Sequence, residues 1–456
     1  MRSLSSPVRQ LTLLACATVA ISSATAQLAF DAAVNVTLGP DTSDIAAADF
    51  DGDGFVDLLV CNRGGSAALD DGTIALLRND GDGTFTTTTI NAGRTLVRPS
   101  AIALGDIDND TDTDAAVVLI GEDAVLLLLN DGDGNFSAGS TLTVGDAPNS
   151  IVAVDFNGSS GLDLVVSNEE ADSVSVLINN GSGAFAAAQN VSFAVDAQRT
   201  RPRGLAAEDI NGDGIIDLIV ALFDRDQVGI KLGTGSGAVA DALTRIDVGT
   251  TATNEAAPSA LVAAEVDGEP GIDLIVANSV GDSVTILENN GSGGFTNGGD
   301  FATGNSPLGL NLADVDLDGV LDIVTANSEG DSVSVLRGLG DGEFAAPTNT
   351  TVGGGPRSVI AADFNGDDEI DIAAACLESD ELSLVFATSD NDDGDPNEDP
   401  NDDPNADLDP NAIAEQCAAG CGPTGTAMMS LMLIGLMGTK AAWRRRRMTT
   451  RGSAGV

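Results

Sequence analysis

Histidine and tyrosine are absent from this 456-residue chain, and tryptophan occurs once, as Trp443. Without histidine, neither a Ser-His-Asp nor a Cys-His nucleophilic arrangement can be assembled. Without tyrosine, and with the single tryptophan near the C-terminus, the flat aromatic platforms on which sugar rings usually stack are missing. Basic residues are scarce: Lys+Arg 20 stand against Asp+Glu 70, a formal charge of −50. Phosphate backbones require basic patches, so nucleic acid is excluded as a partner. Five cysteines are too few for a disulfide framework in a chain this long. Cys61 and Cys376 sit beside apolar runs and are expected to pack as small hydrophobes. Helical periodicity is also almost missing.

What is present is glycine, aspartate and short apolar runs. The hydrophobic fraction, 43%, is that of a globular chain rather than a disordered one. The stretch Asp49-Phe50-Asp51-Gly52-Asp53-Gly54-Phe55-Val56-Asp57 combines four acids with two glycines. Unpaired carboxylates are too costly for a buried strand, and the glycines and like charges make a poor helix. A tight loop around a hard cation accounts for the pattern. Asp49, Asp51, Asp53 and Asp57 supply side-chain oxygens, and the Phe55 carbonyl adds another. The apolar run Leu58-Leu59-Val60 that follows reads as a buried strand. An EF-hand is ruled out, because the twelfth position is Val60 rather than Glu and strands, not helices, flank the loop.

The loop recurs seven times, about 49 to 57 residues apart, which is the spacing of propeller blades. The copies beginning at Asp49, Asp209, Asp314 and Asp363 keep Asp or Asn at the first, third, fifth and ninth places. The candidate ligands of the last three are Asp209, Asn211, Asp213 and Asp217; Asp314, Asp316, Asp318 and Asp322; and Asp363, Asn365, Asp367 and Asp371. A further copy offers Asp106, Asp108, Asp110 and Asp114, with Thr111 where glycine is usual. Another offers Glu265, Asp267, Glu269 and Asp273 around Pro270. The copy with Asp155, Asn157, Ser159 and Asp163 is the poorest, and is expected to hold a cation weakly or not at all. Oxygen number and spacing in the good copies point to calcium.

Each loop sits in one frame. A small-residue apolar stretch precedes it and a buried run follows. Next come an alternating strand, such as Asp331-Ser332-Val333-Ser334-Val335-Leu336, and a glycine turn closed by Phe85, Phe136, Phe185, Phe295 or Phe344. A fourth, more polar strand leads to the next unit, so each unit is a four-stranded antiparallel sheet. The last unit stops near Ala387 without its fourth strand, while residues 30–39 have the character of the missing one. The expected fold is therefore all-β: a seven-bladed propeller whose N-terminal strand completes the last blade and removes the exposed edges.

With the D-x-D-x-D-G-x-x-D loop, the apolar run after it and the N-x-G-x-G-x-F turn, the units resemble the FG-GAP or VCBS repeat, the blade of the integrin alpha-subunit propeller. The resemblance covers roughly residues 28–388. It implies a calcium-stabilised propeller with the ions in the hairpin between the first two strands of a blade, and an adhesive or ligand-binding role.

The ends differ in kind. Residues 1–26 have a basic start, an apolar stretch and the Ala24-Thr25-Ala26 cleavage pattern of a secretory signal. Residues 27–388 are the propeller. Residues 389–416 form an acidic linker with spaced Pro and Asn. Residues 417–456 carry Cys417 and Cys421, an apolar segment and the basic end Arg444 to Arg447. They resemble the tripartite sorting tails of bacterial surface proteins. The expectation is an exported monomer, held at the outer envelope or cell surface by this membrane-associating tail. Its predicted role is a non-enzymatic adhesion module for an extracellular protein or polysaccharide. A calcium-dependent lectin is the alternative, and an extracellular hydrolase working through an acid pair is the weaker third reading.

Overall fold

The apolar runs behind the acidic loops become the most deeply buried strands of the molecule. In a computed structural model, residues 28–65, 71–159, 161–194, 198–249 and 256–388 are described. They form seven four-stranded antiparallel sheets and, apart from three short 3-10 turns, no helix. The chain is an all-β, seven-bladed propeller. The signal, linker and sorting-tail expectations lie outside the described residues. Among the described residues, no helix is long and apolar enough to cross a membrane.

Blade 1 consists of Thr42–Ala48, Asp57–Asn62, Thr73–Asn79 and Phe85–Thr89, running from the axis outward. Its second strand is buried along its whole length, as are those of the other blades. The reason is that both faces of each blade are covered by neighbouring blades, so these strands are continuously apolar rather than alternating. Successive side chains serve two different cores. Leu59 and Cys61 pack with Ala115 and Val117 of blade 2, whereas Leu58 and Val60 pack with Ala373 and Leu382 of blade 7. Each fully buried leucine contributes about 1.5–3 kcal/mol. Cys61 and Cys376 are buried free thiols in these cores, as expected of them.

The ring closes as the sequence predicts. Val34–Thr37 pairs antiparallel with Glu381–Val385, from Val34 opposite Leu384 to Thr37 opposite Glu381. The blade order is thus the N-terminal strand, Glu381–Val385, Asp371–Cys376 and Pro356–Ala362. Beyond the strand proper, Phe30 bridges Ala387.

Two details depart from the simple strand reading. Asp172 and Asp331 are not strand residues but turn residues at φ +48° and +45°, with the strands beginning at Ser173 and Ser332. The polar face of the alternating third strand is also not wet. Ser334 is buried, donates to Asn349 Oδ1 at 2.7 Å, and accepts from Asn327 Nδ2 at 2.7 Å and from the Gly304 N–H at 3.0 Å. A satisfied buried network of this kind is compatible with a core position.

Candidate metal sites

Each acidic loop joins the first strand of a blade to the second, so all seven lie at one end of the propeller. The loops are shaped by their own carboxylates. Asp49 accepts from the N–H groups of Gly52 at 2.7 Å, Asp53 at 3.2 Å and Gly54 at 2.9 Å. Asp209 repeats this with Gly212, Asp213 and Gly214, and Asp106 with Asp110 and Thr111. The fold of the loop requires left-handed backbone, supplied by Gly52 and Gly54 at φ +73° and +95°. Thr111 and Leu317 occupy such places at φ +84° and +57°.

The ninth-place acid has a role of its own. Asp57 is 1% exposed and starts the second strand. Its two oxygens accept from the Phe50 N–H at 3.2 Å and the Asn79 N–H at 2.8 Å. The same pair of bonds recurs at Asp114, Asp163, Asp217, Asp273, Asp322 and Asp371. This acid therefore staples the loop to the end of the third strand. Burial pushes Asp57, Asp114, Asp163, Asp217 and Asp322 up to about 6 and Asp371 to about 7, against the pull of these backbone bonds.

Carboxylate oxygens gather within 4.8 Å of one another in four loops: Asp49, Asp51 and Asp53; Asp106, Asp108 and Asp114; Glu265, Asp267 and Asp273; and Asp314, Asp316 and Asp322. Asp57, Asp110, Glu269 and Asp318 stand outside these clusters. In the Asp363 loop the third-place amide donates instead, from Asn365 Nδ2 to Asp367 Oδ2 at 2.9 Å. In the Asp209 loop Asn211 accepts from the Asp213 N–H at 2.9 Å and lies 3.5 Å from Asp217. In the poorest loop Asp155 accepts from the Ser159 N–H at 2.9 Å.

The donor set fits a hard divalent cation. It is all oxygen, and the clusters match ligand shells of about 2.3–2.6 Å radius. Asp108 Oδ1, Asp314 Oδ1 and Asn157 Oδ1 are buried without a hydrogen-bond partner, an arrangement that is costly unless something positive meets them. Burial and then the neighbouring acids Asp110 and Asp106 raise Asp108; burial also raises Asp314, with Asp318 and Asp316 adding to it. Several of these acidic clusters could thus hold metal ions.

Three features at these sites were not read from the sequence. Arg337 Nη1 lies 3.5 Å from Asp316 Oδ2, and Arg78 Nε 3.9 Å from Asp51 Oδ2, so two loops have a guanidinium at the rim. The turn asparagine reaches back to the preceding blade: Asn79 Nδ2 donates to the Phe364 carbonyl, Asn130 to Phe50, Asn179 to Ile107 and Asn289 to Ile210. Each acceptor is the second residue of an acidic loop, so ordering a loop also orders the interface with the next blade. At the opposite end, an aspartate in the turn between the second and third strands clamps the connection into the following blade. Asp123 accepts from Ala147, Asp172 from Thr200 and Arg201, Asp226 from Ala256 and Ala257, Asp282 from Ser306 and Asp331 from Gly355. Asp172 and Asp226 are thereby occupied in holding blades together. The signal was available as an aspartate at one fixed place before each alternating strand.

The sequence matches the FG-GAP-like repeat over residues 66–117, 155–220, 265–325 and 314–374, together half of the chain. No curated protein matched the sequence. Among solved structures, a streptogramin B lyase superposes with a TM-score of 0.54 at 10% identity, covering 79% of this chain and 98% of that one. BBS1N in complex with ARL6DN gives 0.53 at 14% identity, over 78% and 96%. The periplasmic gluconolactonase of Pseudomonas aeruginosa gives 0.51 at 18% identity, over 66% and 84%. At these identities the likeness is one of fold.

Proposed function

We propose that this chain, which belongs to the FG-GAP-like repeat family, is an exported, calcium-stiffened propeller that binds an extracellular protein or polysaccharide without catalysing a reaction. The observation that carries the calcium reading is the buried, unpartnered carboxylate oxygen of Asp108 and of Asp314, each in an acid cluster. A bound ion would supply the missing counter-charge and fix the loop. Through the turn asparagines, that order passes to the next blade. The ions are structural on this reading, and the faces of the ring do the binding. The propeller fold is shared with lyases and a lactonase, so fold alone does not decide against catalysis. The absence of histidine and the use of the clustered acids in loop geometry favour binding.

Immobilised full-length chain, incubated with cell-surface material in calcium and in excess chelator, tests the reading. Retention of a defined protein or polysaccharide in calcium only is the expected result. A glycan array on the same protein separates the polysaccharide from the protein partner. Equal retention in chelator would contradict the calcium dependence.

A further inference from the structure

The seven first strands enclose a cavity of about 320 Å³ on the propeller axis. Its wall is made by residues early in those strands, from Ser43, Asp44 and Ile45 round to Arg357, Ser358 and Val359. The acidic loops follow the last residues of the same strands. The cavity therefore lies towards the opposite end of the ring, a strand length of about 20 Å across for seven residues.

Its charge runs against that of the chain. Arg203 and Arg357 stand in the wall itself. Arg63, only 8% exposed, follows the second strand of blade 1 and the exposed Arg98 precedes the first strand of blade 2; neither lines the cavity, but both lie close enough for their charges to be felt around Arg357. Asp44 is the wall's one acid, and its carboxylate is held by the Ile102 N–H at 2.8 Å. Glu169 engages Arg201 and, at 3.1 Å, Arg203, while it also accepts from Asn149 Nδ2 at 3.1 Å. The Arg203 guanidinium lies over the Phe223 ring, 3.5 Å from its centroid. Arg203 is thus held in a fixed orientation. By contrast, the guanidinium groups of Arg63 and Arg357 form no hydrogen bond or ion pair among the described residues, and Arg63 Nε is buried without a partner. Burial, then Arg357 and Arg98, lowers Arg63 to about 9; burial and then Arg203 lower Arg357. Guanidiniums collected in a half-enclosed space with too few acids to balance them are complementary to an oxyanion.

We propose that this end of the axial cavity binds a small oxyanion-bearing molecule at Arg203 and Arg357, with the nearby charges of Arg63 and Arg98 adding to the positive field. The volume lies at the lower end of small-molecule sites, about 300–1,000 Å³, and suits one acidic sugar or a molecule of that size. Asn149, Ser150, Asn311 and Ser358 in the wall supply hydrogen-bonding groups for hydroxyls, and Ile102, Leu205 and Leu261 supply apolar contact. The inference rests on the propeller being a binding module, and it concerns the end remote from the calcium loops.

The test is calorimetric titration of the full chain in calcium with D-glucuronate, which carries a planar carboxylate, and with inorganic sulfate, a tetrahedral oxyanion. Glucose is the uncharged control. Expected is binding of one or both anions and none of glucose, with affinity falling at least tenfold in Arg357→Gln and by a smaller factor in Arg63→Gln while the melting temperature stays near that of the parent. Arg357→Lys, which keeps the charge and loses the fork, guards against a variant that fails to fold and is expected to bind at intermediate strength. Which anion binds assigns the carboxylate or the tetrahedral chemistry. No binding of either anion, or affinities unchanged across the folded variants, overturns the site. A silent titration alongside continued retention of a surface partner removes this site while leaving the binding-module reading standing.

Discussion

Asp380 accepts a hydrogen bond from the Asp41 backbone N–H at 2.8 Å, across 339 residues of chain. It is the inter-blade clamp seen at Asp123, Asp172, Asp226, Asp282 and Asp331, here joining the last blade to the first. Both residues are left-handed, Asp41 and Asp380 each at φ +59°. Aspartate tolerates this conformation better than most residues while offering an acceptor to a nearby N–H. Asp380→Ala is expected to cost about 1–3 kcal/mol, the penalty for leaving a half-buried donor unmet. Asp380→Asn, which keeps both the acceptor and the tolerance for the turn, should recover most of it. Urea midpoints of the two variants check this.

The first strands approach each other closely at the axis. A Cβ on Gly204 would fall 2.6 Å from the Leu261 backbone nitrogen, and backbone cannot yield as a flexible side chain can. Gly204→Ala is expected to destabilise by about 1–3 kcal/mol through overpacking. Gly93 is the contrasting site: a Cβ there would meet nothing within 4 Å, but the backbone is left-handed at φ +66°. Alanine at Gly93 should cost only the backbone strain, about 1–2 kcal/mol. Thermal melts of the two variants beside the parent measure both costs.

Thr111 and Leu317 pay for left-handed backbone that glycine would adopt freely. Leu317 is in addition 57% exposed, so little packing is lost on its removal. Thr111→Gly and Leu317→Gly should each stabilise the protein by about 1 kcal/mol. Thermal melts in calcium and in chelator read this out. A gain in both conditions locates the effect in the backbone.

Glu169 and Asp44 give the cavity end opposite pH dependences: burial raises the Asp44 carboxyl, whereas that of Glu169 is held down. Burial raises the Glu169 carboxyl too, but Arg203 and Arg201 outweigh this and hold it below the ordinary value of 4.5. A depressed carboxyl contributes stability in full above the unfolded value and loses it as pH falls through the folded one. Glu169→Gln should therefore cost about 2 kcal/mol at pH 7, with the difference from the parent narrowing below about pH 4.5. Parallel melts between about pH 3.5 and 7 measure it.

The ring was legible because its signals are local and periodic. Asp49 to Asp57 repeats with its buried run, and residues 30–39 have the polarity of the strand that the last blade lacks. The structure fills that place with Val34–Thr37. Partnerships across the ring were not legible. Asn79 meets the Phe364 carbonyl across 285 residues, and nothing in the turn around Asn79 specifies that acceptor. Arg63, Arg98, Arg203 and Arg357 are scattered along a strongly acidic chain, and only closure of the ring brings them together. The loop acids were identified as ligands by spacing, but spacing could not tell a side chain pointing inward from one standing outside. Asp108 joins its cluster and Asp110 does not, whereas the equivalent Asp51 and Asp53 both join theirs, although the residue between each pair is left-handed.

The central claim, that the acidic loops hold calcium and thereby stabilise the ring, is tested most directly by thermal unfolding of the full chain as calcium is varied. A ligand bound only by the folded state stabilises it by about 2.7 kcal/mol per site at a hundredfold excess over its dissociation constant. With acid clusters in four loops, the melting temperature should climb steadily with calcium and fall markedly in excess chelator. Superimposable melting curves with calcium and with chelator would contradict the account.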